Sequence, residues 1–170
     1  ALHSVRLSKP ELGKNIAIIG LGLLGQFAVQ IAKVSGCNVF GIDLIEEKVN
    51  LAIKLGMDEG AVLNKEDVLV KAQNFSGRDG FDSVIVFAST KTSQPLDLAA
   101  KLARVRGKIV VPGWVKLDIP RQEFYEKELD LIVPRSSGPG LYDPQYESGS
   151  LDYPLPFVLS LIHISEPTRP

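Results

Sequence analysis

The segment formed by residues 15–26 constrains the fold of this chain more than any other feature. It reads NIAIIGLGLLGQ, so a short apolar run rich in β-branched residues leads directly into the pattern G-x-G-x-x-G and then into a helical periodicity. A strand, a glycine turn and a helix in this order are typical of a dinucleotide-binding fold. Glycine-rich turns are common, however, so the prediction depends on support from the following residues.

Each glycine of the pattern stands where a side chain would obstruct. Gly20 would allow the tight turn out of the strand, Gly22 would let the backbone approach a pyrophosphate, and Gly25 would let the helix pack closely on the strand. The helix would begin at Leu23 and Leu24. The free N–H groups of its first turn, at the positive end of the helix dipole, would face the phosphates.

A second apolar run supplies the support. Residues 38–43 read NVFGID and end in an acid, Asp43, about 20 residues after the glycine turn. A carboxylate there can accept both hydroxyls of an adenosine ribose and would repel a 2′-phosphate. Leu44 and Ile45 follow, rather than an arginine that could bind such a phosphate. The sequence therefore favours NAD over NADP; another adenosine ligand, such as S-adenosylmethionine, or no ligand, is the alternative.

Strand and helix signals alternate from residue 15 to residue 133. Strands are predicted at 15–20, 38–43, 61–63, 82–88, 108–111 and 129–133, and helices at 23–35, 46–55, 65–74, 93–105 and 121–127. The first helix is expected to carry Leu23, Leu24, Phe27, Ala28 and Ile31 on its apolar side, and Asn64 is expected to cap the third. This order predicts an α/β fold of the Rossmann type, a doubly wound six-stranded parallel sheet with helices on both faces.

Composition excludes several classes of function. The 170 residues carry a formal net charge of −1, which gives no reason to expect nucleic acid or an acidic membrane as a partner. The single cysteine, Cys37, excludes an internal disulfide framework and a cysteine-rich metal site. The sequence contains neither a signal peptide nor an apolar run of membrane-spanning length, so we expect a cytoplasmic protein.

Several motifs occur in a specific order: LHSV at residues 2–5, LG at 12–13, the glycine turn, and AIKLG at 52–56. Together they resemble the cofactor domain of medium-chain, zinc-type alcohol dehydrogenases, and the similarity covers residues 1–135. The resemblance implies an NAD-dependent enzyme that transfers hydride between nicotinamide and an alcohol, polyol or sugar.

The resemblance also implies roles for individual residues. Asp43 would bind the adenosine ribose with help from Lys48. The residues that would border the nicotinamide follow the fourth and fifth strands: Ala88, Ser89, Pro112 and Gly113. Trp114, beside them, could stack on a ligand or pack at the sheet edge. Family members often pair through the edge strand, which implies a homodimer through residues 129–133.

Residues 124–130 and 135–144 narrow the resemblance. They are similar to a bacterial subfamily in which this module is fused to a second oxidoreductase domain of the Gfo/Idh/MocA type. Members of that subfamily are associated with surface polysaccharide synthesis. Nothing in the residues themselves shows a sugar substrate.

The residues of this chain do not suggest a metal site or a catalytic group. Zinc-dependent relatives hold the metal with Cys, His and an acid from an upstream domain. We expect His3 and Cys37 to be structural here, and the EKE run at 126–128 to be a solvated helix face rather than an acid–base group. The chain would then bind its cofactor without turnover; a non-catalytic NAD(H)-sensing module is the alternative.

The ends of the chain differ in character from its middle. Residues 1–13 read as the end of a helix entering from a missing upstream domain, and 14–135 as the NAD-binding domain. Residues 136–158 read as an irregular segment, either lining a substrate pocket or linking to downstream sequence. Residues 159–170 resemble a translated transposase sequencing adapter, with a genuine short tail as the alternative, so His163 is not proposed as a ligand.

Overall fold

The computed structural model describes residues 1–77, 79–136 and 143–148. Strands and helices alternate along most of this part of the chain. Their order is α1 (Leu2–Leu7), β1 (Asn15–Ile19), α2 (Leu23–Val34), β2 (Asn38–Asp43), α3 (Glu46–Lys54), β3 (Glu59–Val62), α4 (Val68–Ser76), β4 (Phe81–Val86), α5 (Gln94–Leu102), β5 (Ala103–Val110), α6 (Arg121–Lys127), β6 (Asp130–Ile132) and α7 (Pro144–Glu147).

The six strands form one parallel sheet in the order β3-β2-β1-β4-β5-β6. This confirms the doubly wound Rossmann-type fold expected from the sequence. β2 and β3 lie on one side of β1, whereas β4, β5 and β6 lie on the other side. The direction in which strands are added to the sheet therefore reverses between β1 and β4. In such sheets, ligands bind outside the carboxyl ends of the strands at this reversal.

Side chains of the buried strands alternate between two apolar cores, one on each face of the sheet. In β1, Ile16 and Ile18 face the core covered by α1, α2 and α3, whereas Ala17 and Ile19 face the core covered by α4 and α5. Helices on both faces therefore bury residues 16–19 of β1 and 83–86 of β4. The helices on both faces thus support the strands that end at the carboxyl edge of the sheet.

The buried face of α2 differs in part from the prediction, since Ala28 is buried as expected but the larger apolar residues are not. Leu23, Leu24 and Phe27 are 50% to 73% exposed. The buried residues of this helix are smaller or polar: Gly25, Gln26, Ala28, Val29 and Ala32. The helix approaches the end of β1 most closely at Gly25, where a Cβ would lie 2.1 Å from the Gly20 oxygen, and Leu23, Leu24 and Phe27 lie away from that contact.

Two boundaries also differ from the prediction. Asn64 adopts a positive φ of 69° in a turn, and Asp67 caps α4 instead, accepting a hydrogen bond from the Val70 N–H at 3.1 Å. β5 begins at Ala103, immediately after α5, rather than at residue 108. Among the described residues, no helix is long and apolar enough to cross a membrane.

Candidate functional site

The glycine turn between β1 and α2 has the tight geometry that its sequence predicts. Gly20 has a φ of +96°, and a Cβ there would lie 2.7 Å from the Ala88 nitrogen. A Cβ on Gly25 would lie 2.1 Å from the Gly20 oxygen, whereas a Cβ on Gly22 would meet nothing within 4 Å. Neighbouring backbone atoms thus leave no room for a side chain at Gly20 or Gly25, whereas Gly22 faces open space.

Gly22 is the N-terminal cap of α2, and no side chain accepts hydrogen bonds at this cap. The first turn begins with Leu23 and Leu24, and no acidic residue lies in it. The helix start therefore presents backbone N–H groups, with the positive end of the helix dipole, beside the open space at Gly22. This is the arrangement of an anion-binding helix terminus.

Asp43, the last residue of β2, lies beside this turn. Its Oδ2 accepts a hydrogen bond from the Leu21 N–H at 2.7 Å, and its Oδ1 accepts one from the Ile45 N–H at 3.0 Å. The Lys48 Nζ lies 3.8 Å from Oδ1, and the Asp43 side chain is 9% exposed. A carboxylate has about four acceptor positions, so each oxygen can accept one further hydrogen bond.

Gln26 is a part of this site that the sequence analysis missed. Its side-chain Nε2 donates to the Leu21 carbonyl at 3.0 Å and to the Lys48 carbonyl at 2.9 Å. Together, Leu21, Gln26, Lys48 and Asp43 form a closed set of polar contacts, here called the polar ring. The signal in the sequence was a glutamine directly after the third glycine, in a helix that packs on the sheet.

The loop after β4 contacts the glycine turn, and the loop after β5 contacts the loop after β4. The Ala88 N–H donates to the Ile19 carbonyl at 3.2 Å, and the Gly113 N–H donates to the Val86 carbonyl at 2.9 Å. A Cβ on Gly113 would lie 2.1 Å from the Ala88 oxygen. Ser89 and Pro112 are the neighbours of these two residues in the same loops. The structure thus brings the sequence-predicted candidates from the ends of four strands, β1, β2, β4 and β5, to one edge of the sheet.

Three other candidate residues lie apart from this edge or face solvent. His3 lies on α1, and Cys37 is buried at the start of β2, where its Sγ donates to the Glu11 carbonyl at 3.4 Å. Burial lowers the pKa of His3 and raises that of Cys37. Trp114 is 84% exposed and so does not pack at the sheet edge.

The charged run at 126–128 is only partly the solvated face that was expected. Glu126 is exposed and accepts a hydrogen bond from Gln122, and Glu128 lies 3.7 Å from the Arg106 guanidinium. Lys127 instead points inward, and its Nζ donates to the backbone carbonyls of residues 100, 101 and 103 at 2.8–2.9 Å. Its role is structural.

A cavity of about 810 Å³ lies at the opposite, amino edge of the sheet. Its lining includes Gly80, Phe81, Ala103, Arg104 and Lys127. The Arg104 Nε donates to Asp82, and Lys127 is bonded to backbone, so the cationic groups of both side chains already have partners. We therefore place the candidate site at the carboxyl edge.

Several curated proteins and solved structures are similar to this chain over most of its length. L-Threonine 3-dehydrogenase of Bacillus licheniformis is 33% identical over 108 residues, which cover 62% of this chain and 31% of that protein. The structure of 2R,3R-butanediol dehydrogenase from Bacillus subtilis matches with a TM-score of 0.71 at 21% identity, covering 86% of this chain and 41% of that one. At that identity the match shows the fold alone.

A third relative is a Sinorhizobium meliloti protein described as a zinc-binding dehydrogenase and bound to NADP. It matches with a TM-score of 0.69 at 26% identity, over 78% of this chain and 40% of its own. The chain thus spans between 31% and 41% of the length of these relatives. The sequence also matches the family described as zinc-binding dehydrogenase over residues 24–140. Since that match covers more than half of its length, the chain belongs to the zinc-binding dehydrogenase family.

Proposed function

We propose that this chain is the NAD(H)-binding domain of an oxidoreductase that transfers hydride between nicotinamide and an alcohol, polyol or sugar. The observation that carries the proposal is the Asp43 carboxylate at the end of β2, held beside the glycine turn by the Leu21 N–H. Membership of the zinc-binding dehydrogenase family supports it. Because the chain spans less than half of its relatives, the activity of the whole protein is part of the proposal.

Asp43 would bind the adenosine ribose. Hydrogen bonds from Leu21 and Ile45 fix the carboxylate, and its remaining acceptor positions suit the two adjacent hydroxyls of a ribose. A 2′-phosphate would bring negative charge against this carboxylate. NAD is therefore the proposed cofactor, although the Sinorhizobium meliloti relative is bound to NADP.

The remaining candidate residues would hold the rest of the dinucleotide. The pyrophosphate would lie over Gly22, against the N–H groups of Leu23 and Leu24, while Gly20 and Gly25 keep strand and helix close. The nicotinamide would lie along the loops after β4 and β5. The residues proposed to border it are Ala88, Ser89, Pro112 and Gly113. When bound, NAD(H) supplies the hydride acceptor or donor, and this chain orients it.

A metal centre does not fit the residues at hand. The described ranges contain no group of three or more His, Cys, Asp or Glu side chains that could hold a metal ion. We therefore assign no metal ligand and no catalytic residue within these ranges. The zinc that the family name implies would be held by residues outside them.

Further proposals concern the whole protein. We propose that residues 14–135 are the NAD-binding domain and that the protein pairs through β6, at the edge of the sheet. A fused domain of the Gfo/Idh/MocA type is proposed from the sequence resemblance alone. The adapter-like residues 159–170 and most of segment 136–158 lie outside the described residues.

Calorimetric titration of the chain with NADH, NADPH and S-adenosylmethionine tests the function. We expect NADH to bind more tightly than NADPH, and S-adenosylmethionine not to bind. Asp43→Ala should weaken NADH binding by about 1–3 kcal/mol, because charge-assisted hydrogen bonds are lost, and should narrow the difference between the two dinucleotides.

Asp58→Ala is the matched control. Asp58 also accepts a backbone N–H, from Val39 at 2.7 Å, and pairs with Lys33, but it lies at the amino edge of the sheet. We expect it to alter stability without altering the ratio of the two affinities. Equal binding of NADPH and NADH by the unaltered chain would show that the NAD preference is wrong. Binding of S-adenosylmethionine without NADH would overturn the dehydrogenase proposal.

A further inference from the structure

The side chain of Gln26 connects the two segments that form the proposed ribose site. The glycine turn contributes the Leu21 carbonyl, the beginning of α3 contributes the Lys48 carbonyl, and Gln26 Nε2 donates to both. We propose that Gln26 is a positioning residue for the selection of the nucleotide. The inference rests on the proposed function, because it concerns how the same site distinguishes a free 2′-hydroxyl from a 2′-phosphate.

The two hydrogen bonds use the whole donor capacity of the side chain. A glutamine amide has two N–H groups, and both are directed to backbone carbonyls, at 3.0 and 2.9 Å. The residue is 8% exposed. Its Oε1 is buried and accepts no hydrogen bond from the described residues. Burying an unpaired acceptor is unfavourable. The two donated hydrogen bonds therefore explain why a glutamine, rather than an apolar residue, suits this position.

The polar ring makes the position of Lys48 depend on Gln26. Gln26 holds the Lys48 backbone, and the Lys48 ammonium lies 3.8 Å from Asp43 Oδ1. Asp43 is in turn bonded to Leu21, whose carbonyl is the second acceptor of Gln26. Each member of the ring is therefore in contact with two others.

This coupling bears directly on the 2′ position. While the Lys48 ammonium is held toward Asp43, the two charges partly neutralise each other, and the ammonium is less available to a 2′-phosphate. Without Gln26, the start of α3 loses its hydrogen bond to the turn, and Lys48, whose side chain is 41% exposed, becomes free to approach a 2′-phosphate. Loss of Gln26 should therefore weaken NADH binding and weaken NADPH binding less.

Titration of the full chain with NADH and NADPH tests the proposal. Gln26→Met keeps the length and volume of the side chain but cannot donate; we expect the Kd for NADH to rise about tenfold and the ratio of the NADPH and NADH constants to fall several-fold. Gln30→Met is the matched control, because Gln30 lies one turn later on α2 and donates only to the Gln26 carbonyl, at 3.2 Å. Its two constants should equal those of the unaltered chain.

A double-mutant cycle separates positioning from general loosening of the fold. If Gln26 acts through Asp43, the Gln26→Met change should have little effect on the NADH constant in the Asp43→Ala background. Equal effects in both backgrounds, or a uniform loss for both dinucleotides, would overturn the proposal. Failure of the unaltered chain to bind either dinucleotide would instead overturn the proposed function, and this inference with it.

A measurement on the unaltered chain covers the case in which Gln26→Met does not fold. The side-chain amide signals of Gln26 in a ¹⁵N-labelled sample should shift when ADP is added, because Gln26 donates to the Leu21 carbonyl, and the Leu21 N–H is bonded to Asp43, the residue proposed to bind the ribose. The Gln30 amide should not shift. Equal responses of the two amides to ADP would overturn the proposal.

Discussion

Gly22 and Gly25 lie one helical turn apart, yet a methyl group would meet different surroundings at each. At Gly25 it would lie 2.1 Å from the Gly20 oxygen and 3.0 Å from the Gly20 carbonyl carbon. Those atoms are backbone at the end of a buried strand and cannot turn away. At Gly22, where φ is −69°, any residue type is tolerated by the backbone and the space is open.

The two alanine variants should therefore separate stability from binding. We expect Gly25→Ala to lower the free energy of unfolding by about 1–3 kcal/mol, because α2 must shift away from the turn. Gly22→Ala should change stability by less than about 0.5 kcal/mol. It should still raise the NADH dissociation constant about tenfold, since the methyl group occupies the closest approach to the pyrophosphate. Urea unfolding and NADH titration of both variants provide the two values; the same profile for both would contradict the assignment.

At the scale of elements, α5 passes into β5 without a loop. The last carbonyls of α5 therefore lack the N–H groups that a connecting turn could supply. Lys127, from α6, provides them: its Nζ donates to the carbonyls of Ala100, Lys101 and Ala103 at 2.8, 2.9 and 2.8 Å. A cation at the negative end of a helix is favourable in addition. This single side chain joins α6, α5 and the start of β5.

Lys127→Met should destabilise the protein more than a typical surface substitution. Methionine keeps the apolar stem but removes the charge-assisted hydrogen bonds, so we expect a loss of about 1–3 kcal/mol in the free energy of unfolding. Lys101→Met, in the last turn of α5 but with its side chain exposed to solvent, should cost less than about 0.5 kcal/mol. Urea denaturation of the two variants tests the contrast. If the two midpoints coincide, the contribution of Lys127 is refuted.

The elements also show where sequence reasoning succeeds. Alternating apolar runs and glycine breaks are local signals, and they sufficed for the six parallel strands and for the position of Asp43 at the end of β2. The apolar side predicted for α2 was correct at Ala28 but wrong at Leu23, Leu24 and Phe27, because hydrophobicity alone does not show that the helix approaches β1 at Gly25. Gln26 was missed because its partner Lys48 belongs to the next helix, and no local pattern encodes a hydrogen bond across two elements.

For the molecule as a whole, the two edges of the sheet differ in what their polar groups do. At the carboxyl edge, the backbone N–H groups at the start of α2 lie beside the open space at Gly22, and Asp43 lies next to the same turn. At the amino edge, polar side chains bond to the chain itself: Asp82 accepts from the Asn15 N–H at 2.9 Å and from Arg104 at 2.8 Å, joining β1, β4 and β5. Ligand binding is thus expected at the carboxyl edge, whereas the polar side chains of the amino edge join neighbouring strands.

Cys37 allows the opening of the amino edge to be measured by thiol labelling, because it is the only cysteine in the chain. It is 1% exposed and packs in the core between the sheet and α2, and burial raises the pKa of its thiol, which lowers the reactive thiolate fraction. We expect iodoacetamide to label native Cys37 more than about a hundredfold more slowly than the urea-unfolded chain.

The dependence of this labelling on urea shows how much of the molecule must open. Cys37 is covered by core side chains and its Sγ donates to the Glu11 carbonyl, so we expect exposure to need global unfolding. The logarithm of the labelling rate should then rise with urea along the slope of the equilibrium transition. A Val34→Cys variant in a Cys37→Ser background is the control, because Val34 is 91% exposed and its cysteine should react rapidly without urea. A shallow urea dependence for native Cys37 would mean that the loop before β1 opens alone, and that the amino edge is not one cooperative unit.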